Sequence, residues 1–127
     1  MKAMTRDEVF FADTYAILAI IFKNPAYEQF LDCTLVTAKG NIAELYYILL
    51  REHNQTVAEG YCRAFFAALV PVSYDAISEG MQFKLANRKE NLSYVDCVGY
   101  ATAGELSVPF LTGDQKFQNK ENVEWVK

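Results

Sequence analysis

Two stretches decide how this chain reads: VFFADTYAIL, Val9 to Leu18, and VPFLTGDQKF, Val108 to Phe117. In each, an apolar run ends on an acid: Asp13 directly after Ala12, and Asp114 after the break at Thr112-Gly113. Val9–Ala12 and Val108–Leu111 have the short, apolar, turn-bounded character of buried strands. One acid past a strand is a turn residue. Two acids past strands that share a direction stand at one edge of a sheet.

Working outward, Tyr15–Phe22 reads as an apolar helix that Lys23-Asn24-Pro25 stops, and Pro25 opens a short helix through Phe30 and Leu31. TLVTA, Thr34–Ala38, is a second strand. In NIAELYYILLREH, which comes after Lys39-Gly40, Ile42, Leu45, Tyr46, Leu49 and Leu50 recur at helical spacing. Thr56-x-x-Glu59 reads as a capping box for a helix reaching about Leu69. LVPV, Leu69–Val72, is a third strand, with Pro71 assigning it to an edge. Asp75 caps a helix to about Arg88, and Ser93 caps YVDCVGYATA, which Gly104 ends. Val108–Leu111 and Val123–Val126 complete about five short strands. Strands alternating with helices predict a three-layer α/β/α sandwich around a mostly parallel sheet.

At 127 residues the chain is expected to form a single domain, residues 1–127. Its net charge of −4 gives no global basic field toward nucleic acid, so a polyanion partner would need local cations. Cys33, Cys62 and Cys97 form no C-x-x-C pair and read as reduced core thiols of a cytoplasmic protein. The longest uncharged apolar stretch, Tyr15–Phe22, is too short to span a membrane, and MKAMTRDEVFF lacks the apolar segment and cleavage site of a signal peptide.

Ligands of parallel α/β sheets bind beyond the C-terminal strand ends, and helices that come after such strands begin there. Glu44, in the first turn of the helix after the second strand, and Asp96, in the first turn of the helix from Ser93, therefore join Asp13 and Asp114 at one rim. Each also has a purely structural reading. Glu44 and Asp96 sit three residues after Asn41 and Ser93, as capping acids do, while Asp13 suits a helix cap and Asp114 a turn. Four carboxylates gathered without compensation would repel, by about 4 kcal/mol for a pair ~4 Å apart at an effective dielectric near 20. A hard divalent cation relieves that, and an all-oxygen donor set with open positions suits Mg²⁺ or Mn²⁺. His53 stands alone and offers no zinc cluster.

FFADTYAIL, NIAELYYIL, LSYVDCVGYATA and FLTGDQKF, in this order, resemble the motif regions of PIN domains, most closely the small VapC-type toxins, over Val9 to Trp125. The resemblance implies that Asp13, Glu44, Asp96 and Asp114 hold Mg²⁺ or Mn²⁺ and hydrolyse RNA phosphodiester bonds, leaving a 5′-phosphate and a 3′-hydroxyl. It implies a supporting hydroxyl at Thr112, a small antitoxin partner and a homodimer. Many relatives carry another acid just after TGD, where this chain has Gln115 and Lys116, which leaves one or two metals open. The first motif also begins later than in the shortest relatives, leaving a small N-terminal extension.

Arg88, Lys89, Lys116 and Lys120 flank the rim and are candidate phosphate contacts, against a reading as solubilising charge. Tyr15, Tyr27, Tyr46 and Tyr47 are divided between core packing and a partner surface. Two other functions remain to be separated from the nuclease. One is a catalytically silent PIN domain that binds RNA or protein. The other is a phosphoryl-transfer domain with its nucleophile at Asp13, which fits poorly because Ala12 and Tyr15 stand where such domains want acids.

Overall fold

The structure, a computed structural model, describes residues 8–127. Most of the N-terminal extension expected ahead of the first motif lies outside the described residues. Strands β1 (Val9–Ala12), β2 (Thr34–Val36), β3 (Phe110–Thr112) and β4 (Val123–Trp125) form one sheet in the order β2-β1-β3-β4, every neighbouring pair parallel. The helices are α1 (Thr14–Ile21), α2 (Lys39–Glu52), α3 (Gln55–Phe66), α4 (Tyr74–Ala86) and α5 (Tyr94–Glu105). Short 3₁₀ turns cover Pro25–Phe30, Arg88–Glu90 and Gln115–Phe117.

The period of two along β1 and β3 divides the core between the faces of the sheet. Phe10, Ala12 and Leu111 pack with Ile17, Leu45 and Leu49 beneath α1, α2 and α3. Phe11 and Phe110 pack with Cys97 and Phe117 on the α5 side, their rings stacked at 5.8 Å. Gly80 lets α4 close on α5, since a Cβ there would meet the Cys97 carbonyl oxygen at 2.9 Å. The chain leaves β1 toward β2 on one side and returns to β3 on the other. The C-terminal ends of β1 and β3 are thus the topological switch point, where parallel sheets open a crevice.

Several expectations shift. The sheet has four strands, because Leu69–Val72 contributes only a bridge from Leu69 to Thr37. The amide of Val70 bonds the Thr37 carbonyl, and Pro71 then has no amide with which to continue. Helix α2 begins two residues before Asn41, so Asn41 is not its cap, and Glu44 lies in its second turn rather than its first. Asn54 caps α3 through the Val57 amide, displacing the expected Thr56–Glu59 box, and α3 ends at Phe66 rather than near Leu69. Ser73, not Asp75, caps α4. Helix α5 runs one residue past Gly104, through Glu105. Tyr27 is core, 1 % exposed, with its hydroxyl donating to the Val126 carbonyl. Cys62 and Cys97 are buried free thiols, whereas Cys33 is only half-buried.

Candidate active site

Asp13 is the residue where β1 becomes α1. Its extended backbone ends the strand, its amide still bonds Leu111, and its Oδ1 caps α1 by accepting from the Ala16 amide at 3.0 Å. Its Oδ2 accepts from the Thr112 hydroxyl at 2.7 Å. The side chain is 3 % exposed in all, and burial pushes its pKa up to about 7. The two hydrogen bonds resist that rise, and the negative charges of Asp96 and Asp114 add to it.

Thr112 also accepts, at 3.1 Å, from the Asp114 amide, so one hydroxyl ties the acid after β1 to the turn after β3. Gly113 is required by close approach: a Cβ there would lie 2.2 Å from the Tyr15 ring and 2.4 Å from the Val126 carbonyl oxygen. Asp114 itself caps the 3₁₀ turn, its Oδ1 accepting from the Lys116 amide at 3.0 Å, while the Trp125 indole donates to its carbonyl at 3.0 Å. Asp96 forms a reciprocal capping box with Ser93, accepting from the Ser93 amide at 3.2 Å. The structural readings of these three acids are therefore true. They do not compete with a site, because capping fixes the side chain and engages one oxygen of Asp96 and one of Asp114, leaving the other without a protein partner among the described residues.

From two other elements, Asp96 and Asp114 each come within electrostatic reach of Asp13. Glu44, half-buried on α2, is not among the charges that act on Asp13. No lysine or arginine among the described residues pairs with any of the four: the ion pairs are Arg51–Glu52, Arg63–Glu59 and Lys120–Glu90. Among the described residues no group of three His, Cys, Asp or Glu side chains is placed to hold a metal ion as it stands. The carboxylates nonetheless fit a hard cation by charge and by donor type, being oxygen ligands in an uncompensated negative field. His53 ends α2 and stacks on Phe22 at 5.2 Å.

Asn41 serves in another way than as a helix cap. It is 2 % exposed in the first turn of α2, and its Nδ2 donates to the Thr14 hydroxyl beside Asp13 at 3.2 Å. Its Oδ1 is buried without a partner among the described residues. The signal was present: Asn41 falls four residues before Leu45 and eight before Leu49, a polar residue on the buried stripe of the helix. Of the expected phosphate contacts, Arg88 and Lys89 are exposed, and Lys116 holds the Asn91 carbonyl at 3.1 Å. Lys120 is engaged by Glu90.

The PIN-domain family model matches residues 10–123. The chain belongs to the PIN-domain family. No curated protein matches it in sequence. Among solved structures, this PIN domain is similar to VapBC2 from Rickettsia felis bound to a DNA fragment from its promoter. That match has a TM-score of 0.72 at 14 % identity, covering 93 % of this chain and 97 % of that one. It is also similar to Mycobacterium tuberculosis VapC20, a sarcin-ricin loop cleaving toxin, with TM-score 0.71, 14 % identity and coverage of 83 % and 91 %. A toxin-antitoxin complex from Klebsiella pneumoniae matches with TM-score 0.68, 15 % identity and coverage of 93 % and 96 %. At these identities the likeness is one of fold. The four stretches that resemble PIN motifs carry the three acids of the switch point and Glu44.

Proposed function

We propose that this PIN domain is a divalent-metal-dependent ribonuclease and the toxin of a toxin-antitoxin pair. The observation that carries the reading is the Thr112 hydroxyl joined to both Asp13 and the Asp114 amide, with Asp96 in reach and no cation among the described residues paired to any of the acids. Asp13, Asp96 and Asp114, with Glu44 one turn beyond Asn41 on α2, would hold Mg²⁺ or Mn²⁺. The ion, when bound, supplies positive charge for the phosphate and activates water for hydrolysis. Thr112 holds the Asp13 carboxylate in one orientation, and the Ser93 box does the same for Asp96. Gly113 brings the turn carrying Asp114 down onto Tyr15, against the start of α1.

The toxin assignment rests on the company the fold keeps, since the similar structures include toxin-antitoxin complexes. A small antitoxin is then the expected partner, a basic residue of it entering the acidic rim, and exposed Tyr47 belongs to the surface open to a partner or a second copy. No helix among the described residues is long and apolar enough to cross a membrane. A cytoplasmic location, where RNA targets lie, belongs to the same proposal.

The test is RNA cleavage by the purified protein with Mn²⁺ or Mg²⁺ against EDTA, alongside Asp96→Asn. Cleavage that needs metal and is lost in the variant supports the reading. Retained RNA binding without metal binding or cleavage replaces it with the silent module, for which Gln115 and Lys116 after TGD are the sequence ground.

A further inference from the structure

Beside the acidic rim, the first turn of α2 and the first two turns of α5 enclose a cleft of about 180 Å³. Ala38, Gly40 and Asn41 line one side, Tyr94, Val95, Val98 and Gly99 the other, with Val72 between them. It is smaller than the ~300–1,000 Å³ of pockets that enclose drug-sized ligands, and of a size for one planar ring system. At Gly40 the two walls come close, since a Cβ there would lie in ordinary van der Waals contact with Val95, 3.4 Å away.

One hydrogen bond and the start of α5 link the cleft to the site. Tyr94 and Val95 immediately precede Asp96, and Asn41 bonds the hydroxyl of Thr14, the residue next to Asp13. Tyr94 is 69 % exposed although it opens a helix packed on the core, and the Lys84 ammonium lies 4.8 Å from its ring centroid. Lys39 lines the adjoining hollow with Gly40 and Val72. An exposed ring and nearby cations, beside apolar walls, match a nucleotide, whose base has a π-face and whose phosphate is anionic.

We infer that this cleft receives the base of the nucleotide next to the scissile phosphate, stacked on Tyr94. The inference rests on the ribonuclease reading and specifies how that site grips its substrate. A base held there is out of its own helix stack, so the strand must be unpaired at that position.

The experiment is fluorescence anisotropy of a short, labelled, mixed-sequence single-stranded RNA with Mg²⁺, in an Asp96→Asn background so that the strand stays intact. Base–aromatic stacking is worth about 1–3 kcal/mol per base, so adding Tyr94→Ala is expected to weaken binding roughly 5- to 150-fold. Tyr94→Trp keeps affinity, and Tyr61→Ala, on the distant α3, leaves it unchanged. A strand with one abasic position over the cleft should lose no further affinity when Tyr94→Ala is added, because both remove the same contact. Binding by the Tyr94→Ala protein within twofold of its background overturns the inference and leaves the nuclease reading standing. An equal loss with Tyr94→Trp overturns it too. A parent protein that neither binds nor cleaves the strand with Mg²⁺ removes the ribonuclease reading and the inference together.

Discussion

Replacing Asp13 by Asn should stabilise the protein, and by an amount that grows with pH. The folded carboxyl titrates near 7 against 3.8 for an unburdened one. Between those values the native state holds more protons than the unfolded chain, so stability falls as pH rises through this window and levels off above it. The full difference is worth about 4 kcal/mol, of which about 3 kcal/mol accrues between pH 5 and pH 8. Asn keeps most of the local structure, since its carbonyl oxygen still caps α1 at the Ala16 amide, where Asn serves as well as Asp. The loss is the Thr112 hydroxyl's acceptor, about 1 kcal/mol. The variant should therefore match the parent within ~1 kcal/mol at pH 5 and exceed it by about 3 kcal/mol at pH 8, a large share of a typical 5–15 kcal/mol.

Urea unfolding of both proteins across that range measures the difference directly. Parallel pH profiles would refute the claim that a buried, unpaired carboxylate strains the switch point. Metal supplies a second arm. At a hundredfold excess over its dissociation constant, Mn²⁺ should add about 2.7 kcal/mol to the parent at pH 8 and far less to the variant. Equal stabilisation of the two would separate the burial of Asp13 from any role in holding the ion.

Thr112→Val should cost about 1–3 kcal/mol and push the Asp13 pKa higher still, because it removes the hydrogen bond that favours the charged form; Thr112→Ser should restore both, as read by unfolding at several pH values. Gly113→Ala should destabilise by about 3 kcal/mol or more, since the added methyl meets the Tyr15 ring and the Val126 carbonyl, and thermal melting would show it. Ser93→Ala should cost about 1 kcal/mol through loss of the cap and should lower cleavage further than that loss alone, because Asp96 is released from its fixed orientation. Cleavage falling only in step with the folded fraction would mean that the box serves the helix and not the site.

The parallel sheet was readable because its signals are local and redundant. Val9–Ala12 is apolar on both faces, as a strand covered on both sides must be, and Phe10 and Phe11 indeed enter opposite cores. The expected third strand, Leu69–Val72, failed for a reason that Pro71 already carried: one missing amide is enough to stop a ladder that has only Thr37 to pair with. Caps were less legible, because several residues near a helix start are chemically able to cap it and only the backbone decides which one sits there. Asn54 and Ser73 cap α3 and α4, displacing Thr56 and Asp75, each from a position nearer the N-terminus.

The acids show why topology reaches further than motif spacing. Asp13 and Asp114 are 101 positions apart, yet they meet because β1 and β3 are parallel neighbours, with Ala12 opposite Leu111. Neighbouring parallel strands that end together must place their next residues at the same edge. Asp96 arrives by another rule, since a helix that leads into a parallel strand starts where the strands finish. Glu44 rests only on the rule that a helix after a parallel strand begins at the same edge, and the two-residue shift in the start of α2 moves it one turn away from the rim, where Asn41 stands instead. Of the four acids, its share in the site is therefore the most sensitive to where a single helix begins. Glu44→Gln measured beside Asp96→Asn, for both cleavage and Mn²⁺-induced stabilisation, separates the two cases. A loss of cleavage with the metal shift retained would place Glu44 toward the attacking water, and a loss of both would place it among the ligands.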